Sequence, residues 1–205
     1  SNDVVHIIGG NTYVPSGVTL TIESGAVVKF ATGKVLSLSG GGICNAEDVI
    51  FTSILDDTVG GDTLADGGAT APEENSWTII GLVNDSTATV YRYGTIALCG
   101  SIGADTMWRK DQTYVIDGTL TVVDGVTLTI PAGAVVKFTD SSSLVVASGG
   151  ECIAKGAIFT HIADDAVGGD TMGDGDVTTP EYGKYKIDGN IVEDEATEYR
   201  YYVPM

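Results

Sequence analysis

Two stretches of the 205-residue chain combine carboxylates and glycines at repeated spacings. They read DDTVGGDTLADGGATAPE over 56–73 and DDAVGGDTMGDGDVTTPE over 164–181. Calcium binds six to eight oxygen atoms from carboxylates, carbonyls and water, and glycines let a loop turn its carbonyls inward. The stretches therefore predict calcium-binding loops. The candidate metal ligands are Asp56, Asp57, Asp62, Asp66 and Glu73 in the first, and Asp164, Asp165, Asp170, Asp174 and Glu181 in the second.

The same stretches have a second interpretation that needs no metal. Asp side chains accept hydrogen bonds from nearby backbone N–H groups, and glycine adopts positive φ, so such a loop is rigid by itself. An EF-hand alignment starting at Asp62 is incomplete, because Leu64 or Met172 stands at the third position, where an oxygen ligand is expected. From the residues alone, a calcium loop and a metal-free hydrogen-bonded loop both remain open.

Both stretches belong to an internal duplication. GVTLTI occurs at 17–22 and 125–130, an offset of 125 − 17 = 108, and GAVVKF, at 25–30 and 133–138, has the same offset. A self-match of this length without gaps predicts two structural copies. We assign 1–108 to a first unit with an acidic loop at 54–75, and 109–205 to a second unit with an acidic loop at 162–183.

Within each copy the hydrophobic pattern predicts short β-strands. In VTLTI, Val18, Leu20 and Ile22 alternate with threonines, and glycine-containing turns separate such runs. No window sustains a helical period with caps, so we predict an all-β fold. Two architectures fit this pattern: a β-solenoid of parallel strands and a tandem pair of immunoglobulin-like β-sandwiches.

Composition limits the partners. The chain has 28 acidic and 10 basic residues and a net charge of −18, which repels nucleic acid and anionic lipid. No apolar run approaches the roughly 20 residues that span a bilayer, so we expect no membrane span. The three cysteines, Cys44, Cys99 and Cys152, are too few and too far apart for a disulfide framework or a zinc knuckle.

One longer phrase resembles a known class of protein. VTLTIPAGAVVKF (126–138), followed by a leucine-containing strand, GG and AIFTHIADD (157–165), resembles bacterial secreted or surface proteins of the right-handed parallel β-helix, pectin-lyase-like class. Their inserted loop looks like D-D-x-x-G-G-D-T-N-G-D-G, then T-x-P, then a W-G-G-I strand. The matching residues are Ile50, Phe51, Thr52, Ser53, Asp56, Asp57, Gly60, Gly61, Asp62, Thr63, Asp66, Gly67, Thr70, Pro72 and Trp77, and in the second copy Ile158, Phe159, Thr160, Asp164, Asp165, Gly168, Gly169, Asp170, Thr171, Asp174, Gly175, Thr178 and Pro180.

The match has departures in both loops. Leu64 and Met172 replace the asparagine of the class pattern. The W-G-G-I strand is WTII at 77–80 and YKID at 185–188. The resemblance implies a right-handed parallel β-helix and a secreted or cell-surface bacterial location. It also implies that the loops keep their shape while part of a binding function is lost.

From these observations we expect a non-catalytic structural or adhesive module that contacts glycans or proteins, with a homodimer forming through the solenoid ends. The alternative is a carbohydrate-active enzyme of the pectin-lyase-like class, or a remnant of one. No catalytic residue is assigned. Lys29 and Lys137 are interpreted as solvated strand residues, and His6 and His161 occupy positions that do not correspond in the two copies. In the repeated YRY triplet we expect tyrosines on one strand face and arginine on the other.

Overall fold

The described part of the chain is all-β. The computed structural model describes residues 4–38, 42–73, 75–86, 88–110, 112–172, 174 and 177–204, and these ranges contain strands, turns and bends but no helix. The chain divides into two compact units, Ser1–Ile96 and Ala97–Met205. Strand β11 (Gly94–Ile102) runs through the position at which the units divide.

The first unit contributes strands to three sheets in turn. Its strand order is β1-β4-β7-β10 in one sheet, β2-β5-β8 in the next and β3-β6-β9 in the third. Successive strands of the chain therefore enter different sheets, and every third strand returns to the same one. The strands are β1 (Val5–Ile8), β2 (Thr12–Tyr13), β3 (Thr19–Thr21), β4 (Val27–Phe30), β5 (Lys34–Ser37), β6 (Ile43–Ala46), β7 (Ile50–Ser53), β8 (Trp77–Ile80), β9 (Val83–Asp85) and β10 (Val90–Tyr91).

The second unit repeats this plan with one long strand serving two sheets. The first half of β13 pairs with β15, and its second half pairs with β16. The orders are β13-β15-β18-β21, β13-β16-β19 and β12-β14-β17-β20. The strands are β12 (Thr106–Met107), β13 (Thr113–Val122), β14 (Thr127–Thr129), β15 (Val135–Phe138), β16 (Ser143–Val146), β17 (Glu151–Ile153), β18 (Ile158–His161), β19 (Lys186–Asp188), β20 (Ile191–Val192) and β21 (Glu198–Tyr199).

Every strand pair with a described register is parallel. In the first unit Val27 lies opposite both Val5 of β1 and Ile50 of β7, and the second unit has the same arrangement in β13, β15 and β18. Immunoglobulin-like sandwiches are built from antiparallel sheets. The sandwich alternative therefore does not fit the described strands, whereas parallel sheets are compatible with a β-helix.

The core of each unit is a column of inward side chains. In the first unit Phe30 stacks on Trp77, with ring centroids 4.3 Å apart and planes 9° apart. In the second unit Phe138 stacks on Tyr185 at 4.4 Å. Offset stacking of this kind adds about 0.5–1.5 kcal/mol to the gain from burial. The replacement of Trp77 by Tyr185 in the second copy thus preserves the aromatic contact.

Strand β4 is buried on both of its faces, unlike a strand with one solvated face. Val28 and Phe30 belong to the core cluster, and Val27 and Lys29 point to the opposite face because side chains alternate along a strand. All four residues are buried. The prediction that Lys29 and Lys137 are solvated is therefore wrong: both are fully buried, and the acidic loops cover them.

Candidate cation-binding loops

The acidic loops lie against the outer face of the first sheet in each unit. The first loop leaves β7 after Ser53 and rejoins the fold at Trp77 of β8. A Cβ built on Gly60 would lie 3.0 Å from Val5 Cγ2 and 3.2 Å from Lys29 Cε. Gly60 and Gly61 both have positive φ, a conformation that glycine adopts without strain. The glycine pair therefore lets the loop backbone approach the sheet closely.

Three carboxylates of each loop converge. In the first loop one carboxylate oxygen from each of Asp57, Asp62 and Asp66, the first trio, lies within 4.8 Å of the others. In the second loop Asp165, Asp170 and Asp174, the second trio, meet the same criterion. These are six of the ten residues proposed from the sequence, and they hold equivalent positions in the two copies. Whether they bind a metal stays a prediction.

Hydrogen bonds within the first loop hold its trio in place. Asp62 accepts from the backbone N–H groups of Asp66 at 3.2 Å and Gly67 at 2.8 Å. Asp66 Oδ1 accepts from Gly68 N at 2.9 Å, and its Oδ2 accepts from Thr70 Oγ1 at 2.5 Å. These bonds, led by the one from Thr70, lower the pKa of Asp66. Asp62 and Asp66 are therefore held in place by hydrogen bonds within their own loop.

The second trio is held by similar hydrogen bonds. Asp170 Oδ1 accepts from Asp174 N at 3.2 Å, and Asp174 Oδ2 accepts from Thr178 N at 2.9 Å. Asp174 Oδ1 is buried without a hydrogen bond from the described residues. Gly175, which belongs to the loop pattern, lies outside the described residues. A buried acceptor without a partner costs about 1–3 kcal/mol, and a cation would relieve that cost.

Asp56 lies outside the first trio and anchors the loop to the sheet. Its Oδ2 accepts from Thr52 Oγ1 at 2.7 Å, its Oδ1 accepts from Thr58 N at 3.0 Å, and Arg92 Nη1 lies 3.5 Å from Oδ2. Burial acts to raise the pKa of Asp56, but the hydrogen bonds from Thr52 and Thr58 and the charge of Arg92 outweigh it, so the pKa falls. Asp56 is therefore an ionised structural residue.

Asp164 has the same role in the second unit, with a closer arginine. Thr160 Oγ1 donates to Asp164 Oδ2 at 2.7 Å, and Arg200 Nε donates to the same oxygen at 2.7 Å. Burial acts to lower the pKa of Arg200, and the charge and hydrogen bond of Asp164 raise it above its usual value. The arginine of each YRY triplet thus contacts the first aspartate of an acidic loop. In both copies the arginine follows this aspartate by 36 residues, and this shared spacing is the sequence signal of the contact.

The first tyrosine of each triplet packs inward, whereas Tyr93 and Tyr201 lie beyond the strands with positive φ, so the expected alternation does not run through the whole triplet. Tyr91 stacks on Phe51 with centroids 5.1 Å apart, and Tyr199 stacks on Phe159 at 5.2 Å. The strand therefore ends on a tyrosine that packs on the core, and the arginine that follows it contacts the loop. This arrangement gives the triplet a packing role and a loop-binding role together.

The two glutamates proposed as ligands do not join the trios. Glu73 is exposed, and Glu181 Oε2 lies 2.9 Å from Lys184 Nζ. The hydrogen bond and charge of Glu181, together with the charge of Asp140, raise the pKa of Lys184. Both glutamates therefore stand apart from the converging carboxylates that the structure describes.

Repulsion within the first trio is visible at Asp57. Partial burial is the largest cause that raises the pKa of Asp57, and the charges of Asp62 and Asp66 raise it further. The nearby ammonium of Lys29 acts in the opposite direction. Counting formal charges, the three carboxylates and this ammonium give −3 + 1 = −2. One divalent cation would neutralise that charge. The carboxylate oxygens of the first trio are ligands that suit calcium or magnesium.

The histidines do not form a shared site. His6 is exposed in the first unit. His161, buried in the second, contacts Asp140 Oδ1 through Nε2 at 2.8 Å and accepts from Ala163 N through Nδ1 at 3.3 Å. Both ring nitrogens are therefore used in fixing the chain just before the second acidic loop.

Comparison with protein-family models, with curated proteins and with solved structures finds no significant match to this chain. Among the described residues, no helix has the length and apolar character needed to cross a membrane.

Proposed function

We propose that the chain is a non-catalytic structural and adhesive module of a secreted or cell-surface bacterial protein, folded as a right-handed parallel β-helix of the pectin-lyase-like class. The return of every third strand to the same parallel sheet supports this fold. The convergence of three aspartates in each acidic loop, with ligand oxygens within 4.8 Å of one another, is the observation on which the function rests. Each loop holds one calcium ion that stabilises the module.

The donor chemistry supports calcium. Each trio offers only carboxylate oxygens, the hard ligands that calcium prefers, and water completes the six to eight positions that it requires. Asp174 Oδ1, which accepts no hydrogen bond from the described residues, and the mutual repulsion at Asp57 are two features that a bound cation would relieve. Asp57, Asp62 and Asp66 would hold one ion, and Asp165, Asp170 and Asp174 the other.

Thermal unfolding with calcium and with a chelator tests this proposal. A ligand that binds only the folded state at 100 times its dissociation constant stabilises it by about 2.7 kcal/mol. For a chain of this size each ion bound in this way corresponds to a rise in the midpoint of roughly 5–10 °C. Equal midpoints in calcium and chelator, with no heat of binding by calorimetry, would remove calcium from the proposal.

The alternative function is a carbohydrate-active enzyme of the same class. Cleavage of an acidic polysaccharide requires cationic or acid–base groups that reach the substrate. Lys29 and Lys137, the lysines at equivalent strand positions of the two copies, are fully buried under the loops, so these two lysines do not reach a substrate. A cleavage assay on a panel of acidic and neutral polysaccharides distinguishes the two, because product formation above a heat-denatured control would support the enzyme.

We propose a glycan-contacting surface at a cavity of the second unit. This cavity, of about 530 Å³, is lined by Tyr199, Tyr202, Glu193 and Ile187 among others. Aromatic faces with a nearby carboxylate suit sugar rings, which present both C–H faces and hydroxyl groups. A glycan array with wild-type protein and Tyr202→Ala tests the contact. Binding that persists in the variant would place the glycan elsewhere.

Self-association is proposed at the last strands of the second unit. Among the described residues, β19, β20 and β21 are each the last strand of a row of paired strands. The outer edge of a last strand offers backbone groups for pairing. We propose that two chains join through such edges. Light scattering over a concentration series measures this directly, and a constant monomer mass would contradict it.

A further inference from the structure

The two buried lysines, Lys29 and Lys137, called the loop lysines below, contact the acidic loops through the backbone. Lys29 Nζ donates to the carbonyl oxygen of Asp56 at 2.9 Å and to that of Gly61 at 2.5 Å. Lys137 Nζ donates to the carbonyl oxygen of Gly169 at 2.5 Å. Since Gly169 corresponds to Gly61 at the offset of 108, both lysines bind the same point of their loops.

The surroundings of each lysine are formed partly by the loop itself. A Cβ on Gly60 would lie 3.2 Å from Lys29 Cε, and a Cβ on Gly168 would lie 3.1 Å from Lys137 Cε. The lysine stem therefore packs under the glycine pair while its ammonium reaches the next carbonyl. An undocked loop would expose the stem and remove these hydrogen-bond acceptors.

Burial of an ammonium is costly unless hydrogen bonds and opposite charge compensate it. At Lys137 burial lowers the pKa, while the charges of Asp165, Asp164 and Asp170 act to raise it. Asp165 Oδ1 lies 4.0 Å from Lys137 Nζ. The acidic loop thus supplies the carbonyls and the negative charge that make a buried lysine tolerable.

We propose that Lys29 and Lys137 are the internal cations around which the two acidic loops fold, so that each loop stays docked on its sheet when no metal is bound. Each lysine is a positioning residue. It draws the loop carbonyls inward, and in the second unit its ammonium also lies close to Asp165 of the trio. Calcium, as proposed above, adds a second cation to a loop that is already formed, and the role of the lysine holds with or without it.

Acylation of wild-type lysines in chelator tests the proposal without a mutation. The protein is treated with sulfo-N-hydroxysuccinimide acetate in EDTA, and modification is followed at each lysine by peptide mass spectrometry. Lys155, which is exposed, is the reference. If the loops are docked without metal, Lys29 and Lys137 should react at least about 10-fold more slowly than Lys155, because they become accessible only when the loop opens. Reaction of all three at the same rate would overturn the proposal.

The same measurement in calcium separates this proposal from the calcium proposal. Fast acylation in EDTA and slow acylation in calcium would show that the metal folds the loops, which would overturn the role of lysine and support calcium binding. Slow acylation in EDTA with no calcium effect on the unfolding midpoint would support the lysines and remove calcium. The two proposals therefore fail in different experiments.

Lysine-to-methionine variants test the role of the ammonium itself. Lys29→Met keeps most of the apolar stem and removes the charge, and hydrogen exchange in EDTA reports the protection of each loop. We expect at least about a 10-fold loss of protection in residues 54–75 for Lys29→Met and in residues 162–183 for Lys137→Met. In each variant the other loop is the internal control for folding, and Lys155→Met is the control for loss of a surface lysine. Unchanged protection of the loop above the substituted lysine would contradict the proposal.

Discussion

Arg200 Nε donates a hydrogen bond to Asp164 Oδ2 over 2.7 Å, and this contact joins the last strand of the second unit to the start of its acidic loop. The Asp164 side chain is 2% exposed, whereas the arginine side chain is 33% exposed. In the first unit the corresponding atoms, Arg92 Nη1 and Asp56 Oδ2, are 3.5 Å apart. The duplicated pair is therefore tighter in the second copy.

Loss of the arginine should be more costly in the second unit. For Arg200→Ala we expect a decrease of about 1–3 kcal/mol in the free energy of unfolding, because the buried Asp164 carboxylate loses the hydrogen bond and charge of Arg200 and keeps the hydrogen bond from Thr160. Arg92→Ala is the matched control and should cost less, because Thr52 and Thr58 still bind Asp56. Urea unfolding of both variants measures the difference, and equal costs would contradict the geometric distinction.

The contribution of Asp56 to stability should disappear in acid. Its pKa is lowered in the folded protein, so the folded state favours the ionised form. That contribution is fully present above the unfolded pKa of about 3.9 and is lost as the pH falls through the lower folded value. The difference in unfolding free energy between wild type and Asp56→Asn should be constant above about pH 5 and shrink below about pH 4. Urea unfolding across this range tests it, and a difference independent of pH would contradict it.

Single carboxamide substitutions should remove one calcium ion at a time. Calorimetry should give two ions per wild-type chain and one in Asp66→Asn or Asp174→Asn, because each variant removes a charged ligand of one trio. Glu73→Gln should retain both ions, since Glu73 is exposed and outside the first trio. Loss of an ion in Glu73→Gln would make that glutamate a ligand, and two ions in Asp66→Asn would exclude the first trio.

The second loop should bind calcium more tightly than the first. Asp174 Oδ1 is buried without a described hydrogen bond, whereas both oxygens of Asp66 already accept hydrogen bonds. If calcium removes a cost of about 1–3 kcal/mol at Asp174, the second loop should bind calcium roughly 5- to 150-fold more tightly than the first. Asp66→Asn leaves the second loop intact, and Asp174→Asn leaves the first loop intact. The calcium affinity of Asp66→Asn should therefore be higher than that of Asp174→Asn. The reverse order would contradict this explanation.

The first unit should not tolerate a methyl group at Gly94. A Cβ there would lie 2.2 Å from Trp77 Cε2, so the indole or the strand must move away from the stack on Phe30. We expect Gly94→Ala to destabilise the protein by about 1–3 kcal/mol or more through overpacking. Gly9→Ala is the control, because nothing lies within 4 Å of a Cβ at Gly9. Thermal unfolding compares them, and equal midpoints would contradict the predicted clash.

The sequence predicted the repetition, the strands and the two aspartate-rich loops, but it did not distinguish the six converging aspartates from the other four candidate ligands. The offset of 108 residues and the two-residue alternation depend only on local order along the chain, and both appear in the parallel sheets. The spacing of Asp57, Asp62 and Asp66 across a glycine-rich segment favoured a compact loop, because bonds such as that from Gly67 N to Asp62 form within a few residues.

The tertiary structure decided which face the loop covers and which charges are buried. Lys29 has the alternation of a solvated strand residue, and only the return of a distant segment over its sheet makes it buried. Asp56 and Asp57 are adjacent in sequence, yet one faces Thr52 and Arg92 and the other joins the trio. Such distinctions depend on contacts between residues far apart in the chain, so local periodicity determines the strands but cannot determine the partners of their side chains.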